Sequence, residues 1–126
     1  MTDRASYALN VLDKHIKALN SRDEVALART LHFPHCRLSK GELKVWNTPE
    51  NYFSDFKKRA GGEWSHSAFE NAQLVGMSAD KFHINVDVVR YRKDGTEIVR
   101  FQSLWVIACI DGHWAAQMRS SFASDP

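Results

Sequence analysis

The segment spanning residues 97–122, EIVRFQSLWVIACIDGHWAAQMRSSF, constrains the fold more than any other. It is the most apolar and β-prone part of the chain, and Asp111-Gly112 splits it. An Asp-Gly pair between apolar runs favours a two-residue hairpin turn, because both central positions need positive φ. Asp94-Gly95 repeats the signal upstream, and Ser78-Ala79-Asp80 marks a further turn. A four-strand antiparallel meander is therefore predicted over 64–77, 81–92, 97–110 and 113–122. Strands of about 14 residues would extend about 45 Å if straight. One domain of 126 residues cannot hold that length flat, so the sheet must twist and curl strongly.

The first half supplies what covers this sheet. Ala5, Ala8, Leu9, Leu12, Ile16 and Leu19 recur at spacings of three and four, predicting a helix over 3–20 capped by Thr2. His15 sits at the edge of that stripe. Ser21-Arg22-Asp23-Glu24 reads as a capping box for a short second helix, Asp23 to Thr30. LHFPHCRLS at 31–39 is a strand that Pro34 restricts to an edge or a bulge. Lys40-Gly41 turns it into a short partner, Glu42 to Trp46. Thr48-Pro49-Glu50 combines an N-cap, a proline in the first turn and an acid near the positive helix end. The third helix then runs to about Arg59, buries Tyr52, Phe53 and Phe56, and stops at Gly61-Gly62.

Composition excludes several function classes. A net charge of +2 gives no footprint for nucleic acid or membrane. No apolar run approaches the ~18 residues of a membrane span, and the first residues carry no secretory pattern, so a cytoplasmic protein is expected. Cys36 and Cys109 match no CxxC spacing and read as small buried hydrophobes. There is no phosphate-cradling glycine loop, dinucleotide fingerprint or nucleophile pattern. No cofactor is expected. No metal is expected either, since HFPH at 32–35 is not a zinc spacing.

Register follows from the turns if both Asp-Gly loops hold two residues. Strand partners then sum to 189 across the first loop and 223 across the second. One face carries Phe82, Ile84, Val86 and Val88, then Ile107, Trp105, Ser103 and Phe101, then Ala116, Met118, Ser120 and Phe122. This face is the predicted core, with Ser103 opposite Ser120. The other face carries Asp87, Gln102 and Ser121 in a row, with Arg119 one diagonal step away, and is assigned to a homodimer interface. A single bulge would exchange part of the two faces, because side chains alternate with period two.

The order helix, helix, strand pair, helix, four-strand meander resembles the NTF2-like superfamily, which includes ketosteroid isomerases and SnoaL-like cyclases. Three stretches carry the resemblance over nearly the whole chain: HIKALNSRD at 15–23, LARTLHFPHCRL at 27–38 and DGHWAAQMRSSF at 111–122. They look like that fold's first-helix end, first strand and last strand. The resemblance implies an α+β cone, three N-terminal helices on a strongly curved, mostly antiparallel sheet, as a single domain over 1–126. It does not carry the isomerase residues. The family tyrosine falls on His15, the aspartate base near Ser39, and the second acid near Leu104 or Trp105, so no carboxylate stands where proton abstraction needs one.

Two functions are weighed. The first is a homodimer binding a small apolar or aromatic molecule, with isomerase- or lyase-like acid–base chemistry. His15 and His32 are its catalytic candidates, because an imidazole titrates near neutrality. Its pocket is expected from Trp46, Tyr52, Phe56, His66, Phe101, Ser103, Trp105, Ser120 and Phe122. The second is a non-enzymatic association domain whose purpose is the dimer through Asp87, Gln102, Arg119 and Ser121.

Overall fold

A computed structural model describes residues 2–123, with side chains from residue 5 onward. Helix α1 (Thr2–Ser21) and α2 (Glu24–Ala28) precede strands β1 (Leu31–Ser39) and β2 (Glu42–Trp46). Helix α3 (Pro49–Ala60) leads into β3 (His66–Met77), β4 (Lys81–Tyr91), β5 (Glu97–Ile110) and β6 (His113–Ser121). All six strands form one sheet in the order β2-β1-β6-β5-β4-β3, with β1 parallel to β6 and every other pair antiparallel. The fold is α+β, with helices covering one face of a mostly antiparallel sheet.

The local signals acted with two shifts. Asp23, not Ser21, caps α2: its carboxylate accepts from the Ala26 amide at 3.0 Å, while the Ser21 hydroxyl donates back to the Lys17 carbonyl at 2.9 Å. Thr48 caps α3 as its sequence implied, accepting from the Asn51 amide at 3.2 Å. A Thr2 cap concerns a side chain outside the described ones. The buried stripe of α1 is Ala8, Val11, Leu12, His15, Ala18 and Leu19, rotated from the predicted one, and Leu9 is exposed. His15 therefore lies in the middle of the core-facing stripe rather than at its edge. Asn20 ties the helix end to the sheet, its amide donating to the Ser67 carbonyl and its oxygen accepting from the Ser67 amide.

Pro34 lies at the bulge its sequence implied, in the part of β1 that no β2 residue pairs with, although the strand as a whole runs between β2 and β6. It survives there because β1 is irregular around it. Ladder pairing with β6 breaks between Leu31 and Cys36, and pairing with β2 starts at His35. The predicted β4–β5 register is observed from Lys81↔Ala108 to Arg90↔Val99. The loop itself differs. Arg92 bonds to Thr96 around a three-residue turn, and a bulge before Tyr91↔Glu97 restores the count.

The last hairpin departs from the arithmetic in one place. Ile110↔His113 through Ile107↔Ala116 follow the predicted sum, but the next pair is Val106↔Met118. Gln117 is the extra residue, and its side-chain amide donates to the Pro34 carbonyl at 2.7 Å, in the irregular part of β1. Everything beyond it changes face. Arg119 now pairs with Trp105 and Ser121 with Ser103, and both are buried. Ser120 pairs with Leu104 on the outer face, and Phe122 is 77% exposed.

Candidate functional site

The core between α1, α3 and the inner sheet face is aromatic. Trp46 packs edge-on against Tyr52 at 5.1 Å, and Trp105 edge-on against both His15 at 5.0 Å and Phe69 at 5.2 Å. These rings leave one small cavity of about 30 Å³, room for about two waters. An aromatic ligand does not fit it. The expected apolar pocket is largely filled by the protein's own side chains.

What lines the cavity is not apolar throughout. Arg37, Arg90 and Arg119 reach it from β1, β4 and β6, with His15, Tyr52, Ser103, Trp105 and Ser121, and no carboxylate is among its walls within the described residues. All three arginines are at most 8% exposed. Arg37 and Arg119 are direct neighbours across the β1–β6 pairing, and Lys44 neighbours Arg37 on its other side. Like charges side by side on one sheet face repel. Asp55 is engaged elsewhere: it takes Arg59 at 2.9 Å, Lys44 at 3.4 Å and the Trp46 indole at 3.2 Å. Arg119 has a tyrosine instead of an acid, donating to the Tyr52 hydroxyl at 2.9 Å. Its guanidinium also stacks over Trp105, 4.7 Å from the ring centre.

The electrostatics follow. Burial, then the charge of Arg119, lowers the His15 pKa to about 3, so the ring is neutral near pH 7. His35 is held well below the usual histidine range by burial and by Arg119. Burial works to raise the Tyr52 phenol, but Arg119 and Arg59 outweigh it and bring it below its ordinary value. Burial also works against the charge on Arg37 and Arg119 themselves. A guanidinium does not give up its proton in a protein, so this opposition remains as stored electrostatic cost that an incoming anion relieves. The buried Trp105 indole N–H has no hydrogen-bond partner among the described residues.

The structure sorts the sequence candidates as follows. His15, Tyr52, Phe56, Phe101, Ser103 and Trp105 line the cavity, and Trp46 packs behind Tyr52. His66 does not join them: it stacks on Tyr91 at 5.0 Å and bonds to Ser65. His32 is also elsewhere, its Nε2 on the Ala108 carbonyl and its ring against His113. Ser120 and Phe122 leave the pocket and Arg119 and Ser121 enter it, all four because of the Gln117 bulge. Ser103 bonds Ser121 at 2.7 Å, not Ser120. Of the interface candidates, Asp87 and Gln102 remain on the outer face. Among the described residues, no group of three or more His, Cys, Asp or Glu is placed to hold a metal ion.

Arg37 and Arg90 were missed by sequence reading, although a signal existed for Arg90. It has the same parity as Phe82, Ile84, Val86 and Val88, so the alternation that defined the core face already pointed it inward.

Similar architectures occur among solved structures. The chain superimposes on an NTF2-like protein of unknown function from Shewanella oneidensis MR-1 with a TM-score of 0.75 and 16% identity, covering 95% of this chain and 99% of that one. An NTF2-like protein from Cytophaga hutchinsonii ATCC 33406 gives 0.73 and 17% over 95% and 98%. The fold is NTF2-like. A third such protein, with a cystatin-like fold, from Novosphingobium aromaticivorans, gives 0.77 and 14% over 98% and 84%. At these identities the NTF2-like likeness is one of fold alone. No protein-family model matches the sequence, and no curated protein does.

Proposed function

We propose that this chain binds a small organic anion in the cavity between α1, α3 and the inner face of the sheet. One observation carries the reading: the buried Arg37 and Arg119 line a cavity that no carboxylate lines among the described residues. Buried charge is costly unless paired, and the natural partner of a guanidinium is a carboxylate that accepts two parallel hydrogen bonds. The cavity holds about two waters as it stands, so the ligand it favours has only a few heavy atoms, and the walls must part to seat it. The strong curvature expected of the sheet fits this reading, and register shifts in four of the five strand pairings support it.

The outer face supports a second copy of the chain as partner. Across β2, β1, β6 and β5 the register aligns Val45, Cys36, Met118 and Val106 in one row and Leu43, Leu38, Ser120 and Leu104 in the next. Leu38, Leu43, Val45 and Met118 are each more than 40% exposed. A contiguous apolar sheet face of this kind is a self-complementary surface for a two-fold dimer. Asp87 and Gln102 lie toward its margin.

The test is thermal unfolding and calorimetric titration with acetate and with neutral acetamide. Acetate should raise the melting temperature by several degrees at saturation, and acetamide should not. Equal response to both, or to neither, overturns the anion reading. Light scattering at micromolar concentration tests the dimer separately, and a monomer overturns that part.

A further inference from the structure

We propose that His15 makes the cavity select a hydroxy acid, a carboxylate carrying a neighbouring hydroxyl, over the plain acid of the same size. The inference rests on the anion reading and adds what must accompany the anion.

It follows from counting protons. The Thr30 hydroxyl lies 2.7 Å from the Leu27 carbonyl, which can only accept, so its one proton is spent there. The same oxygen lies 2.8 Å from His15 Nδ1. With no proton left to give, Thr30 must accept, so Nδ1 carries the ring proton. The ring is neutral in its buried setting, and Nε2 is therefore a bare acceptor. It makes no hydrogen bond to any described residue, and the ring forms part of the cavity wall.

The remaining polar wall is of opposite character. Arg37, Arg90 and Arg119 are donors only. Ser103 and Ser121 bond each other at 2.7 Å, which uses one of their two protons and leaves the other as a further donor. A ligand completing this cavity must accept hydrogen bonds at one end and donate one at the other. A carboxylate alone cannot donate. An ammonium group could, but three guanidinium groups repel a second cation. A neutral hydroxyl meets both conditions, and the small volume places it close to the carboxylate.

The experiment is calorimetric titration of wild type and His15→Phe with glycolate, propionate and acetate. Propionate is the isostere of glycolate with a methyl group where the hydroxyl stands. Wild type should bind glycolate about fivefold to tenfold more tightly than propionate, the value of one added hydrogen bond to an otherwise unmet group. In His15→Phe that preference should vanish. Equal binding of glycolate and propionate to wild type overturns the His15 inference and leaves the anion reading standing. Binding of none of the three overturns both. Nitrogen-15 NMR of the wild-type imidazole gives a check that needs no variant: a proton on Nδ1 supports the inference, and a proton on Nε2 overturns it.

Discussion

The two halves of β6 obey different rules. Before Gln117, each residue lies where the hairpin count puts it, and Ala116 is fully buried opposite Ile107. After Gln117, the alternation is reversed: an arginine 6% exposed enters the core, while a phenylalanine 77% exposed faces out. Hydrophobicity alone would choose the opposite arrangement. A strand that breaks the local rule while its neighbours keep it marks a place where something other than packing was selected. The inner end of β6 supplies the charge of the cavity, and its outer side completes the apolar face.

Removing the bulge breaks the comparison most directly. Deletion of Gln117 should return β6 to the plain count, forcing Phe122 inward and Arg119 outward, and remove the bond to Pro34. Stability should fall by about 3 kcal/mol or more, as for other losses of a buried network. Chemical denaturation measures it. A deletion variant as stable as wild type, with acetate binding intact, would show that the bulge does not organise the cavity.

Acid comes next. His15 and His35 are both depressed in the folded state, so the unfolded chain binds protons first as pH falls. Their contribution to stability is complete above about pH 6.5, the unfolded value, and declines below it. For His15 the decline continues to about pH 3. Each histidine should contribute a slope of about 1.4 kcal/mol per pH unit. Denaturation curves between pH 7 and pH 4 should show that slope, reduced in His15→Phe. A flat profile would mean that the inner region is wet.

Arg119→Met sharpens the contrast from inside. Methionine fills similar space without charge, so the ligand-free protein should lose less than about 1 kcal/mol or gain stability. Acetate affinity should drop tenfold or more, and the His15 pKa should rise, because the Arg119 charge is one of its two depressing influences. NMR titration reads the pKa and calorimetry the affinity. A large loss of stability would assign Arg119 to structure rather than to ligand.

Met118→Lys probes the other side of the same strand and should have the smallest effect on folding, within about 0.5 kcal/mol for the monomer. Its readout is size: light scattering should report a shift from dimer to monomer, with acetate binding retained. A variant that stays dimeric would place the second copy elsewhere.

Most element positions were legible in residues because each carried its own local signal: Asp-Gly turns, the Thr48-Pro49-Glu50 helix start, and the period-two pattern of β4. The cavity was legible in part. Tyr52, Phe56, Phe101, Ser103 and Trp105 line it because they lie on elements whose register those signals define. Arg119 and Ser121 were misplaced because Gln117 looks like any other residue in its strand, and its partner, Pro34, is 83 residues away. His66 was misassigned because no local signal defines the register of β3, where two shifts occur.

By itself, then, this sequence determined an α+β domain with helices over one face of an antiparallel meander, through short-range preferences that need no partner. Tertiary structure decided the character of the interior. Bringing β1, β4 and β6 together placed Arg37, Arg90 and Arg119 around one cavity and left Asp55, paired with Arg59, out of its walls. Such a meeting depends on long-range pairing and on a single extra residue, and the alternation of a β-strand turns that one residue into a choice between core and solvent.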